Sequence, residues 1–313
     1  MAEPKLSIII PVYNEEANLQ ECARQIDESL SGDNYEVIWV DDGSKDSSAR
    51  IIKQLSQENP KHKAVLLRRN YGQTAAMAAG FNHAAGDVVV ALDSDLQNDP
   101  RDIPALVAKL NEGYDAVSGW RKNRKDNFIR TLPSKIANYI IGRVTGVSIH
   151  DYGCTLKAYN REVLNDVNLY GEMHRFIPAL VAIQGGKVTE MVVNHRPRVA
   201  GSSKYGLSRT FRVLLDIITI VFLSRFLTRP LHFFGYFGAG CFGVSGLLLA
   251  YVVLEKYRVG FYMHRNPLFI VACIVFLTGF QLITAGLLGE LISRSYFESQ
   301  GRSIYRIRSK HGF

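Results

Sequence analysis

Short apolar runs alternate with longer stretches of helical spacing over the first 120 residues. "LSIIIPV" (6–12), "YEVIWV" (35–40), "KAVLL" (63–67), "DVVVAL" (87–92) and "DAVSG" (115–119) are short, β-branched and flanked by turn residues, which predicts strands. Helices are predicted near 15–30, 46–58, 73–84 and 102–112, with Asp46 and Thr74 as N-caps of the second and third. Pro104 suits the first turn of the fourth. Strands alternating with helices predict an α/β domain whose mostly parallel sheet is covered on both faces. Residues 121–150 open on a basic loop, "RKNRKDNFIR", and continue as a helix, and residues 151–196 read as mixed strand and helix closing the domain. Ligands of such sheets bind beyond the carboxyl ends of the strands. The polar segments "NEE", "DDGSKD" and "DSDLQ" follow strands one, two and four, so they are expected to converge at that edge.

The pattern changes after the loop "PRVAGSSKYG" (197–206). The next segment is apolar but interrupted, and Arg209, Arg212, Asp216 and Thr219 share one helical face, which predicts an amphipathic helix lying at a membrane surface. Residues 231–254 then hold 24 positions, and residues 267–289 another 23, without Lys, Arg, Asp or Glu. At ~1.5 Å per residue each run covers about 35 Å, enough for a hydrocarbon core of roughly 30 Å with some tilt. Two membrane spans follow. The expected organisation is a catalytic domain over 1–206, an interface segment over 207–230, a two-helix membrane domain over 231–292 and a basic tail over 293–313.

Charge orients this arrangement. The connection between the spans carries three basic residues (Lys256, Arg258, Arg265), whereas residues 201–230 and 293–313 carry five each. Positive residues favour the cytoplasmic side, and no basic stretch with a small-residue cleavage site opens the chain. The expectation is an integral membrane protein with its catalytic domain and both termini in the cytoplasm. A net charge of +8 fits a surface facing anionic lipid and phosphate-bearing substrates. The basic excess sits beside the membrane segments, which argues against nucleic acid as the partner. Four cysteines (Cys22, Cys154, Cys241, Cys273) show no paired spacing, so neither a disulfide framework nor a zinc site is indicated.

The strongest chemical signal is "LDSDLQ". Asp93 and Asp95, two apart at a strand end, suit a ribose and a divalent metal on a diphosphate, with Gln97 as a neutral oxygen ligand. Mg²⁺ or Mn²⁺ prefers oxygen ligands and keeps part of its shell for phosphate, so one or two carboxylates suffice. Asp-x-Asp alone is more often a solvated turn; the apolar strand before it and "DDGSKD" upstream make it specific. In "VDDGSKD" an acidic side chain at the strand end, Asp41 or Asp42, can accept hydrogen bonds from a base or ribose. Pro11, Tyr13 and Glu15 in "PVYNEE" can wall a nucleobase pocket. "GAGCFG" (238–243) fits Gly-x-Gly-x-x-Gly but lies inside the first span with no strand before it, so it marks no dinucleotide fold. Gly235, Ala239 and Gly243 there suit close helix–helix contact.

The order "PVYNEE", "DDGSKD", "RRNYGQ", "LDSDLQ" resembles the family 2 glycosyltransferases of the GT-A, Rossmann-like fold. With "DYGC", "RFIP", "GSSKY" and two C-terminal spans, the whole chain resembles the polyprenyl-phosphate glycosyltransferases: dolichol-phosphate mannose synthases, bactoprenol glucosyltransferases and especially undecaprenyl-phosphate 4-deoxy-4-formamido-L-arabinose transferases. The resemblance implies nucleotide-sugar contacts at Pro11, Tyr13, Glu15, Asp42, Asp93 and Asp95, and metal ligation by Asp93, Asp95 and Gln97. It implies an acceptor-phosphate site at Arg121, Arg130, Ser134, Arg198 and Lys204. Arginine offers bidentate geometry to a phosphate and lysine a point charge. Asp151 in "HDYGC" either orients the acceptor or serves as a base, and a structural pairing with an arginine stands equally beside those roles. The implied reaction transfers a sugar, with inversion, from a nucleotide-sugar (a UDP donor by preference) to undecaprenyl or dolichyl phosphate. A homotetramer is also implied. Two rival readings stand beside it: a processive polysaccharide synthase, whose Gln-x-x-Arg-Trp is not matched around Trp39 or Trp120, and a membrane-anchored nucleotide-sugar sensor.

Overall fold

The computed structural model describes residues 4–122, 149–165, 173–196, 230–259, 266–298 and 305–313, with positions 142, 147, 167, 169 and 262 between them. Eight strands are described: β1 Leu6–Val12, β2 Tyr35–Asp41, β3 His62–Leu67, β4 Val88–Ala91, β5 Ala116–Trp120, β6 Lys157–Asn160, β7 Val188–Val192 and β8 Ile307–His311. The helices are α1 Leu19–Ser29, α2 Ser48–Glu58, α3 Gln73–Phe81, α4 Ile103–Leu110, α5 Arg161–Asn165, α6 Ile177–Ile183, α7 Pro230–Val259 and α8 Pro267–Glu298. The first five predicted strands and four predicted helices are therefore all present, with ends shifted by a few residues.

The strands form one sheet in the order β7-β5-β6-β4-β1-β2-β3-β8. β1 pairs in parallel with β2 and β4, β2 with β3, and β5 with β7. β6 runs antiparallel to β4 and β5, and β8 antiparallel to β3. β1 and β2 lie in the middle and are buried on both faces, which is why they read as continuous apolar runs and not as alternation. Ile8, Ile9, Ile10, Ile38 and Trp39 are fully enclosed. β6 inverts the local direction, so its amino end shares an edge with the carboxyl ends of β1, β2, β4 and β5. The same holds for the start of β8 beside the end of β3. Segments from seven strands thus meet along one rim.

Two predicted caps are corrected. The N-cap position of α2 is Ser47, whose side chain makes no capping bond, and the Asp46 carboxylate one residue earlier accepts the Ser48 amide at 3.0 Å. α3 starts one residue before Thr74, from Gly72, which takes φ 96°. Thr74 sits inside that helix and its hydroxyl meets buried His174 at 2.7 Å. Pro104 does occupy the first turn of α4.

α7 and α8 form a second compact unit. Their windows Phe234–Arg258 and Pro267–Gly289 have mean hydropathies of 2.0 and 2.4. Tyr236 and Leu247 are 75 % exposed and Ile292 67 %, so among the described residues nothing covers these apolar faces, as suits helices that face lipid. Within the hairpin the close approach falls at Gly238, where a Cβ would stand 2.9 Å from the Gly279 carbonyl oxygen. Gly235 and Gly243 face open space, so the predicted small-residue stripe is not what joins these two helices. The Ser245 hydroxyl donates to the Ala272 carbonyl at 2.9 Å.

Candidate active site

The rim is assembled by hydrogen bonds that cross between strand ends. β2 ends in Asp41 and Asp42, and Gly43 follows with φ 69°. A side chain at Gly43 would stand 2.5 Å from the Arg69 carbonyl carbon, so only glycine lets the 69–72 loop close over this turn. Asp42 holds that loop: its two oxygens accept the amides of Tyr71 at 2.7 Å and Gly72 at 2.9 Å. Burial pushes the Asp42 carboxyl up, against the pull of those two amides. Asp42 is thus a loop anchor, a role the sequence pattern does not distinguish from a base contact. The loop in turn delivers Gln73, whose Nε2 donates to Asp93 at 2.9 Å.

β1 ends at Val12, and the chain turns through Asn14, which adopts φ 55°. Its side-chain oxygen accepts the Lys45 amide at 2.7 Å, and its own amide reaches Ser44 Oγ at 3.0 Å, so the first and second strand-end loops are stitched together. Glu15 accepts a hydrogen bond from Asn18 at 2.8 Å and closes the entry to α1. Pro11 and Tyr13 are half-buried at the same rim.

β4 delivers the carboxylate pair. Leu96, between Asp95 and Gln97, is 6 % exposed and held at φ 60°, a region that costs a leucine roughly 1–2 kcal/mol. That twist returns the Gln97 amide to Asp95 Oδ1 at 3.2 Å. Asp95 is 8 % exposed. Burial, and next the charge of Asp95, push Asp93 up to about 7. Two carboxylates that cannot comfortably ionise together are what a divalent cation relieves. Among the described residues no three His, Cys, Asp or Glu side chains converge, so a cation here keeps open positions for other oxygens. Asp93 and Asp95 fit a Mg²⁺- or Mn²⁺-type ion. The Gln97 carboxamide makes no hydrogen bond among the described residues.

On the other side of β4 stands a cationic group. Arg121, just past β5, grips Asp151 with Nε–Oδ2 at 2.7 Å and Nη2–Oδ1 at 3.0 Å, and both side chains are nearly enclosed. Burial works to lower the guanidinium pKa, but the Asp151 pair outweighs it and raises it, so Arg121 stays charged. Asp151 also accepts the Gly153 amide at 3.1 Å. Of the roles open to Asp151, pairing with an arginine is the one this geometry displays. Trp120 stacks on His150 at 4.3 Å beside it. Arg130, Ser134, Arg198 and Lys204 lie outside the described residues.

Lys157 was missed by sequence reasoning. It opens β6, is 3 % exposed, and its ammonium donates to the carbonyls of Tyr152 at 3.1 Å and Arg175 at 3.4 Å. Burial lowers its pKa to about 8. The available signal was a lysine inside the apolar run "TLKAYN". His174, pushed down to about 3 by burial and then by Arg175 and Lys157, is neutral and ties the Met173–Phe176 turn to α3.

The fold is shared with glucosyl-3-phosphoglycerate synthase from Mycobacterium tuberculosis in complex with phosphoglyceric acid, at TM-score 0.55 and 19 % identity, covering 71 % of this chain and 80 % of that one. The same enzyme in complex with Mn²⁺ and uridine-diphosphate-glucose matches at TM-score 0.53 and 20 % identity, over 71 % and 79 %. The chain belongs to glycosyl transferase family 2, whose model matches residues 7–167. It is 42 % identical to a dodecaprenyl-phosphate galacturonate synthase from Rhizobium johnstonii, over 97 % of this chain and 92 % of that protein. It is 40 % identical to an undecaprenyl-phosphate 4-deoxy-4-formamido-L-arabinose transferase from Salmonella paratyphi B, over 97 % and 93 %. The protein is a glycosyltransferase, and its two exposed apolar helices make it a membrane protein.

Proposed function

We propose that the enzyme transfers a sugar from a nucleotide-sugar to the phosphate of a polyprenyl phosphate at the cytoplasmic membrane face. The single observation that carries this reading is the juxtaposition at one rim of the Asp93–Asp95 pair with the enclosed Arg121, on a chain whose named relatives over its full length act with polyprenyl phosphates. A lipid phosphate oxygen attacks the anomeric carbon, the new carbon–oxygen bond forms on the opposite face, and the bond to the nucleoside diphosphate breaks. The acceptor is already ionised near neutrality, so no strong base is needed. Asp151, its oxygens engaged by Arg121 and Gly153, then serves to aim the guanidinium at the acceptor. Asp93 and Asp95 would hold Mg²⁺ or Mn²⁺, which supplies charge for the leaving diphosphate. Tyr13 and Pro11 wall the base, and Gln73 fixes Asp93. Arg130, Ser134, Arg198 and Lys204 complete the acceptor side in this proposal.

The placement of both long ends on one side of the bilayer is supported by β8. A strand paired to β3 returns the chain to the catalytic sheet after α8, so the α7–α8 hairpin starts and finishes on that side.

The test is a lipid-extraction assay with purified protein, undecaprenyl or dolichyl phosphate, Mg²⁺ or Mn²⁺, and labelled UDP- and GDP-sugars that include galacturonate and 4-deoxy-4-formamido-L-arabinose donors. Metal-dependent label in the organic phase from one donor supports the reading and names the sugar. Asp95→Asn is expected to lower that turnover by on the order of 10³-fold while the protein stays folded in the membrane. Donor binding without label for any sugar would overturn the transfer reading and favour a sensor.

A further inference from the structure

The same rim carries a second cationic site, four strands away from the carboxylate pair. A cavity of about 490 Å³ is lined by Arg68, Tyr305, Arg306 and Ile307. Its backbone is fixed: the Arg68 amide donates to the Arg306 carbonyl at 3.0 Å, where the end of β3 meets the start of β8. Tyr305 is 7 % exposed and its hydroxyl accepts a hydrogen bond from Asn82 at 2.9 Å, so the floor is anchored to the turn after α3. Arg68 and Arg306 themselves are exposed, and neither forms an ion pair among the described residues. The two segments that build it are basic in sequence. Residues 62–71 and 305–313 contain no Asp or Glu, and Arg69, Arg308 and Lys310 are also exposed.

Strands stand ~4.8 Å apart, so about 19 Å of sheet edge separates the β8 end of this cavity from Asp93. It is therefore separate from the carboxylate pair, beyond the Asp42 end of the rim. Its volume falls in the range of small-molecule pockets, roughly 300–1,000 Å³. Two exposed guanidiniums on neighbouring backbone positions, neither ion-paired among the described residues, suit a phosphate oxyanion, because each guanidinium presents a planar fork to it.

We propose that Arg68 and Arg306 form a binding site for the phosphodiester headgroup of an anionic membrane lipid, distinct from the lipid that accepts sugar. The covalent path argues for a lipid over a free phosphate. The last span's charge-free run stops at Gly289, and α8 continues only to Glu298. Seven further peptide units, at most about 25 Å of chain, reach Tyr305, so a short covalent path links the site to the last span. Arg68 also opens directly into the loop that Asp42 anchors, which connects a bound headgroup to the donor side through four residues of backbone.

The experiment uses the full chain in phosphatidylcholine nanodiscs to which phosphatidylglycerol is titrated, with amide hydrogen exchange of residues 305–311 as the readout. The expected result is saturable slowing of that exchange by phosphatidylglycerol and none by inorganic phosphate at matched ionic strength. Arg68→Gln with Arg306→Gln should weaken the midpoint by on the order of 10-fold or more, about one order of magnitude being reasonable for two contacts near an anionic surface. Arg308→Gln with Lys310→Gln removes the same charge outside the cavity and should shift it by less than about 3-fold. Equal losses from both pairs would mean diffuse attraction and overturn the site. Slowing by phosphate alone would reassign it to a soluble phosphate ligand. No slowing by either overturns it outright. Failure of the chain to enter nanodiscs would instead strike at the membrane reading on which this proposal rests.

Discussion

Asp93 shows how a residue's chemistry depends on what surrounds it. Its carboxyl is raised to about 7 by burial and by Asp95. A raised acid binds its proton more tightly folded than unfolded, so it contributes stability below the unfolded pKa near 3.8, and that contribution is lost as pH rises through about 7. In metal-free protein at pH 8 the charge is a liability on the order of a few kcal/mol. Asp93→Asn should therefore raise the metal-free unfolding temperature at pH 8 and change it little near pH 4. An unfolding series at the two pH values checks this, and an equal effect at both would exclude the charge as cause. Lys157 belongs to the same scale. Its ammonium joins the Asp151-bearing loop to the 173–176 turn, so Lys157→Met should lower kcat by roughly 10- to 100-fold through misplacement of Arg121 and Asp151. Steady-state kinetics against the lipid acceptor would decide. An unchanged kcat would reduce Lys157 to packing. "LDSDLQ" was legible because two carboxylates after an apolar strand break the pattern. Lys157 and His174 were not, since nothing in a lone polar residue says which distant groups it will meet.

Elements carry the next layer. The five leading strands were readable because β1 and β2, enclosed on both faces, leave long β-branched runs. β8 was not. "IRSKH" is basic and short, and it is a strand only because the β3 edge offers it hydrogen bonds. Its loss has a predictable cost. Deleting residues 305–313 uncovers the β3 edge and the Tyr305 pocket, which should destabilise the catalytic domain by about 2–3 kcal/mol and promote association through the bare edge. Thermal unfolding and light scattering of the truncated protein measure both. A truncated chain as stable and as monodisperse as the intact one would show that β8 is ornamental. The cap of α3 failed as a sequence reading for a related reason, because Thr74 found a partner a hundred residues away, whereas Asp46 serves both the local Ser48 amide and that of distant Glu16.

At the scale of the whole molecule, the proposed reaction divides one rim between two kinds of chemistry, with diphosphate-leaving charge beside β4 and acceptor charge beside β5 and β6. The connection between α7 and α8 should lie on the opposite side of the membrane from that rim. A single cysteine at position 262, in a chain with its four natural cysteines replaced, should react with an impermeant thiol reagent from outside intact cells. A cysteine at exposed Arg308 should not. Labelling of position 308 from outside would invert the orientation.

The sequence by itself determined the elements of the nucleotide half, the carboxylate pair and the two spans, because each depends on the periodicity or length of apolar residues along a local stretch. Tertiary structure alone decided that Asp42 anchors a loop, that Arg121 is paired to Asp151, that a lysine is buried behind them and that the basic tail completes the sheet. Those are matters of which distant groups meet. Hydrogen bonds and ion pairs act over about 3 Å in space, whatever the number of residues between the partners.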